Sequence, residues 1–228
     1  MPGFAMRSFV DGFGDARLLL NEVNANISSS HDLIVLLTVG AGSVSGIEIV
    51  ANPDPGNLNF ALLTTLPDAS VATGDLIVVH LAPTGGIDEI NETTSKMQCI
   101  DVTCYANAWD VFGGAAEITY TNRVLAVRTA GGTVMDAVAF ARSDIASPPS
   151  SYPQAVQYVQ SIGKWLPPDC AGSPCTYASL PTVVQISADW TGLASTSTGA
   201  SASRLAGADT RQSSDWQVVA QTFGAANP

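Results

Sequence analysis

Asn122-Arg-Val-Leu-Ala-Val-Arg-Thr-Ala-Gly-Gly-Thr-Val-Met-Asp-Ala-Val-Ala-Phe-Ala141 decides how this chain is read. The pair Gly131-Gly132 supplies the positive φ that a tight hairpin turn needs. The residues on either side have strand composition. Val134, Val138 and Phe140 fall on one face of the second strand, and Asp136 falls among them. A carboxylate at an inward position requires a partner, because an unpaired buried charge is costly. The hairpin points to architecture and carries no catalytic pattern.

Working outward, the same β signals recur. Leu18–Asn24 reads as the first strand, Asp32–Thr38 as a continuous apolar run and Ser45–Val50 as an alternating, half-buried strand. Residues 52–57 carry turn chemistry, Asn59–Leu63 a short strand and Leu76–Leu81 a strong one. Glu117–Tyr120 returns to β pattern, and Pro181–Ile186 reads as a last inner strand. One helix is expected over Gln154–Trp165, with Ala155, Val156, Val159 and Ile162 at helical spacing and Ser150 or Ser151 as cap. Thr191–Ser203, rich in Ser, Thr, Ala and Gly, reads as loop. The sum is an all-β chain: an immunoglobulin-like β-sandwich of antiparallel strands with loop insertions and one short helix. The expected layout is an N-terminal extension over 1–17 and one domain over 18–228, with inserts at about 82–117 and 142–190.

Composition narrows the function classes. Charged residues make up 13% of the 228 positions, against roughly 25% in ordinary soluble domains. A surface so poor in charge suits an extracellular or assembling protein. The net charge is −11 with nine Lys and Arg spread thinly. No basic patch is present, which disfavours nucleic acid and anionic membranes as partners. No stretch reaches the roughly 20 apolar residues of a membrane span, and Met1–Arg17 lacks the apolar core of a signal peptide. If the protein is exported, the chain is expected to be its mature form.

Four cysteines lie in two local pairs, Cys99 with Cys104 and Cys170 with Cys175. Local disulfides are the favoured reading and imply an oxidising compartment. A tetrahedral zinc site is the rival. Asp88, Glu89, Glu92 and Asp101 cluster in the first insert, and calcium is the cation such carboxylates would take. No calcium-loop pattern accompanies them, so a solvated acidic loop is the plainer reading, and no cofactor is expected. His31 and His80 are the only histidines. Gly42-Ser-Val-Ser-Gly46 has Val at the centre and is no nucleophile elbow. Ser161-Ile-Gly-Lys164 fits a Ser-x-x-Lys pattern without its companion motifs. Phe4, Phe9 and Phe13 in the Gly-punctuated lead are candidate assembly anchors. Trp109, Trp165, Trp190 and Trp216 could line a sugar-binding surface, with core or rim packing as the plainer role.

The order of several motifs resembles the lamin tail domain. They are Leu18-Leu-Leu-Asn-Glu-Val23, Asp32-Leu-Ile-Val-Leu36, Ser45-Gly-Ile47, Ala72-Thr-Gly-Asp-Leu-Ile-Val-Val79 and Gly132-Thr-Val-Met-Asp-Ala-Val-Ala-Phe140. The close, with Ser201 and Arg204, Asp215-Trp216 and Thr222-Phe-Gly-Ala-Ala-Asn227, is similar to bacterial members. The resemblance implies an immunoglobulin-like sandwich serving as a non-catalytic module of a secreted or surface protein, and it brings no catalytic residues. Asp136 and Arg204 both lie in resembling motifs, and a buried ion pair between them is expected to pin the C-terminal segment to the hairpin. Asn26-Ile-Ser and Asn91-Glu-Thr fit glycosylation sequons and read as coincidence in a bacterial-type chain. The expectation is a non-enzymatic extracellular module that assembles with itself or with another surface protein, using its N-terminal segment in a filament or surface layer. The alternatives are a carbohydrate- or ligand-binding module, and a hydrolase with an unrecognised site.

Overall fold

In the computed structural model, the described residues are 14–28, 31–52, 60–145, 151–167, 169–170, 173–174 and 186–228. Two sheets face each other. The larger contains β1 (Arg17–Asn24), β2 (Leu33–Gly40), β7 (Leu76–His80), β8 (Trp109–Phe112), β14 (Ala200–Arg204) and β15 (Trp216–Ala220), in the order β15-β14-β1-β2-β7-β8. The smaller contains β4 (Glu48–Asn52), β5 (Ala61–Thr65), β9 (Arg123–Arg128), β10 (Val134–Ala141) and β13 (Ala188–Asp189), in the order β13-β10-β9-β4-β5. Two short pairs, β3 (Gly42–Ser43) with β6 (Ser70–Val71) and β11 (Asp169–Cys170) with β12 (Ser173–Pro174), are appended. The chain is an all-β sandwich with a single described α-helix, α1 (Tyr152–Ser161).

Alternation along the strands builds the core. Leu18, Leu20, Val23, Ile34, Leu36, Ile77 and Val79 from the larger sheet share one buried cluster with Ile49, Val127, Val138 and Phe140 from the smaller. Each buried Leu, Ile or Val contributes roughly 1.5–3 kcal/mol. Leu33, Val35 and Val78 point the other way and are covered by Ala108 and Phe223 in a second cluster. The C-terminal segment thus shields part of the outer face. On the far side, α1 buries Ala155, Val156 and Val159, and Pro153 sits in its first turn, where its missing N–H costs nothing. Ser151 occupies the N-cap position without a capping side-chain bond, and the helix ends at Ser161, short of Trp165.

Several expectations are corrected. Only Gly132 of the turn pair has positive φ, so Gly131 needs no glycine freedom. Thr129 closes the turn instead, through its carbonyl to the Gly132 N–H (2.8 Å) and its hydroxyl to the Thr133 N–H (3.2 Å). Residues 117–120 are not a strand; the Ile118 N–H turns to the Asp32 carboxylate at 2.8 Å. Ala200–Arg204 is a strand in the larger sheet, although its composition reads as loop. Small side chains suit it, because Ser201, Ala202 and Ser203 are all buried. Ile186 and the strand Ala188–Asp189 are described; the rest of the expected 181–186 strand lies outside the described residues. Trp109–Phe112 is a strand inside the expected first insert. Two pairs are parallel, β7 with β8 and β10 with β13. Each follows a long connection that carries the chain back to the end from which the first strand started, and parallel pairing requires that.

The sheets are tied together at one residue of β1. The β1–β2 register shifts between Leu20 and Glu22. The Leu20 N–H donates to Asp136 Oδ2 of the opposite sheet at 2.8 Å. The Leu20 carbonyl accepts from Arg204 Nε at 2.8 Å, and Arg204 Nη2 donates to Asp136 Oδ2 at 2.7 Å. Both charged side chains are buried, 3% and 4% exposed. Burial pushes the Asp136 carboxyl up, against the pull of Arg204 and the Leu20 N–H. Removing one partner of such a pair leaves an uncompensated buried charge. Asp136→Ala is expected to lower unfolding stability by about 3–5 kcal/mol, read as a fall in the urea midpoint at unchanged slope.

Candidate functional site

The chain's two histidines meet at one end of the larger sheet. His80 ends β7, and His31 precedes β2; their rings lie 5.7 Å apart, edge to face. His80 is fully buried and stacks on Phe112 at 4.7 Å. Its Nε2 lies 2.7 Å from Asp110 Oδ1 on β8, while its Nδ1 has no hydrogen-bond partner. The parallel pairing of β7 with β8 sets this contact, since His80 and Asp110 stand two positions apart in register. Asp110 Oδ2 also accepts the Tyr105 N–H at 2.8 Å. Burial, with the nearby Asp110 and Glu22 carboxylates, pushes the Tyr105 phenol up to about 12.

The insert between β7 and β8 folds over this pair, and its acids hold it in place. Glu92 accepts the Cys99 N–H (3.2 Å) on one oxygen and the Asp110 N–H (2.9 Å) on the other. Glu89 accepts from the Thr84, Gly85 and Gly86 N–H groups and the Thr84 hydroxyl, and lies 3.2 Å from His31 Nε2. Desolvation opposes its ionisation, but those donors hold its carboxyl down at about 2. Asp101 accepts the Thr103 N–H and hydroxyl. Of the four acids that could have formed a calcium site, Glu89, Glu92 and Asp101 each take separate donors and Asp88 stands exposed. Cys99 and Cys104 form a disulfide across the same loop.

Asn91 and Glu92 have a second effect. Asn91 Oδ1 accepts the Phe112 N–H at 2.7 Å, and the Glu92 N–H donates to the Asp110 carbonyl at 2.9 Å. With the Glu92 carboxylate on the Asp110 N–H, the outer edge of β8 is bonded on both donor and acceptor sides. An edge treated this way cannot template another strand.

Two hollows adjoin the site, of about 400 Å³ beside His31, His80 and Thr196–Thr198 and about 270 Å³ beside Glu92, Met97, Cys99 and Asp110; Cys104 and Tyr105 wall both. A separate groove of about 610 Å³ crosses the outer face of the larger sheet. Its floor is Leu19, Leu37, Val39 and Leu76, and its walls include residues 205–209 and 224–227. The tail forming one wall is fixed by Asn227, whose amide donates to the Asn21 and Arg204 carbonyls, and by Glu22, which accepts the Thr222 N–H at 2.7 Å.

Other sequence candidates disperse. Phe4, Phe9 and Phe13 lie outside the described residues, as does Cys175 of the second cysteine pair. All four tryptophans are buried, so they form no exposed sugar platform. Ser161 donates to the Tyr158 carbonyl and Lys164 to the Met135 carbonyl, so the Ser-x-x-Lys pattern does not converge. Among the described residues no hydroxyl hydrogen-bonds to His80. The His80–Asp110 pair escaped sequence reading because 30 residues separate the partners. A signal did exist: Asp110 interrupts the apolar run Trp109–Phe112, as Asp136 interrupts its own.

A family model described as "protein second domain" matches residues 16–218, nearly the whole sandwich, and the chain belongs to that family. No curated protein matches it.

Two predictions follow the geometry. Glu92→Ala frees two buried N–H groups at about 1–3 kcal/mol each and reopens the β8 edge; light scattering during heating is expected to show earlier aggregation, and still earlier with Asn91→Ala added. Asp32, buried and beside Glu117, has its carboxyl pushed up to about 7. Between the ordinary Asp range and about pH 7 the folded chain keeps a proton that the unfolded chain releases. Its contribution is therefore complete below pH 3.8 and lost as pH rises to about 7. The fall in melting temperature over that window is expected to flatten in Asp32→Asn.

Proposed function

We propose that this chain is a non-catalytic structural and interaction module of an exported or cell-surface protein, and that copies of it associate with one another. The observation that carries this reading is the apolar display on the insert. Five of the eight exposed large apolar side chains among the described residues, Ile87, Ile90, Met97, Ile100 and Val102, belong to it, at 44–99% exposure; Leu62, Ile162 and Leu166 lie elsewhere. A loop held by a disulfide and carboxylate clamps has already lost the freedom that binding would otherwise remove. Exposed aliphatic groups on such a loop suit burial against a partner. The Cys99–Cys104 disulfide supports an oxidising compartment. The lamin-tail resemblance supports a module without chemistry of its own. Phe4, Phe9 and Phe13 are the apolar residues that a neighbouring copy would bury.

The outer groove supports a second reading, a ligand-binding module. Its aliphatic floor suits an acyl chain or apolar peptide better than sugar rings, which stack on aromatic faces. No helix of the described residues is long and apolar enough to cross a membrane.

Sedimentation of the full chain across a wide concentration range tests association. Concentration-dependent assembly is expected, weakened both by Ile100→Asp with Val102→Asp and by replacing Phe4, Phe9 and Phe13 with Ser. A monomer at every concentration overturns the proposal.

A further inference from the structure

We propose that Cys99, Cys104, His80 and Asp110 form a thiophilic metal site, of the kind that takes zinc, that exists only when the Cys99–Cys104 disulfide is reduced. The ligand atoms of His80, Cys104 and Asp110 lie within 4.8 Å of one another. Cys99 is bonded to Cys104, so its sulfur adjoins this group of three without belonging to it, and reduction frees it to turn in. Two sulfurs, one imidazole nitrogen and one carboxylate oxygen are a tetrahedral donor set that Zn2+ accepts, and four residues between the cysteines is within the spacing of structural zinc sites.

His80 is fully buried, and its Nε2 and Asp110 Oδ1 already face each other at 2.7 Å, so a cation bound there takes the place of the proton they share. Glu92 fixes the backbone of both Cys99 and Asp110, so one side chain positions two of the four candidate ligands. Cys104 walls both adjoining hollows, which gives a reductant and a cation a route in.

Disulfide and metal exclude each other, because the disulfide sulfurs have no thiolate charge to offer. A phosphine reductant supplies the two electrons: it takes oxygen from water to become the phosphine oxide, the S–S bond breaks and two thiols form. A divalent cation then displaces both thiol protons to solvent, so loading releases about two protons and weakens as pH falls. This site is separate from the apolar display and stands or falls apart from it.

The test uses the full chain with Cys170→Ser and Cys175→Ser, so that only the one pair can respond. Co2+ and Zn2+ are added to oxidised protein and to protein reduced with a phosphine. Expected are one equivalent bound to the reduced form only, the sulfur-to-cobalt charge-transfer and tetrahedral d–d bands, and a rise in melting temperature on adding Zn2+. His80→Gln is expected to weaken zinc binding at least tenfold while the cobalt bands shift, with circular dichroism reporting the fold. A reduced chain that unfolds but refolds on adding Zn2+ supports the proposal equally. The proposal is overturned if the reduced chain binds neither ion, if the oxidised chain binds as well, or if His80→Gln binds as tightly with unchanged bands.

Discussion

The capture of Leu20 by Asp136 and Arg204 is the constraint on which the rest of the sandwich depends. Three strands meet there: β1 supplies a backbone N–H and C=O, β10 an acid and β14 a base. The register shift in β1 falls directly after Leu20, and the charged pair takes up that residue's N–H and C=O. Burying two charges is expensive, and an apolar replacement of equal volume often does as well for stability. What an apolar replacement could not do is satisfy the two backbone groups of Leu20. The pair therefore fixes position: a one-residue slip of β1 would present a different carbonyl, and every side chain of the strand would change face. Arg204 in turn sits 5.0 Å from the centre of the Trp216 ring, so β15 is oriented by the same guanidinium.

The same logic, acid against backbone donor, is repeated in the insert. Glu89, Glu92 and Asp101 each gather N–H groups of their own loop. A loop without regular structure has many such donors and no ladder to pair them, and unpaired donors away from water are costly. Carboxylates are the strongest acceptors available for them. The result is a connection stiff enough to hold β8 parallel to β7 and to keep His80 and Asp110 in contact.

How much of this was legible in the sequence follows from the range of the interactions. Strands with their own alternation, such as Leu76–His80 and Val134–Ala141, could be read locally, and the inward Asp136 advertised its need for a partner. Ala200–Arg204 could not be read so. Ser-Ala-Ser has no alternating apolar signal, and its burial comes from the neighbours it meets, β1 on one side and β15 on the other. The acids of the insert were visible as a cluster, but clustering in sequence does not say whether carboxylates converge on a cation or diverge onto separate donors. Here the turns at Gly85 and Gly86 wrap Glu89, and the return of the chain to β8 gives Glu92 its partners. The histidine site depended on a parallel pairing that follows a long connection, and no local pattern encodes that.

Blocking of the β8 edge bears on how copies could meet. Backbone pairing needs a row of free N–H and C=O groups, and at β8 Asn91 and Glu92 have taken them. Any strand added to this sandwich must therefore go elsewhere, and β5, at an edge of the smaller sheet with Leu62 49% exposed, is a more open place than β8. The residues that close the edge also hold the insert on which Ile87, Ile90, Met97, Ile100 and Val102 stand outward. One set of hydrogen bonds thus removes a non-selective contact, which any extended peptide could make, and leaves a contact made of side chains, whose shape a partner must match. Specificity gained this way requires the insert to stay rigid, because an aliphatic loop free to rearrange would accept many surfaces.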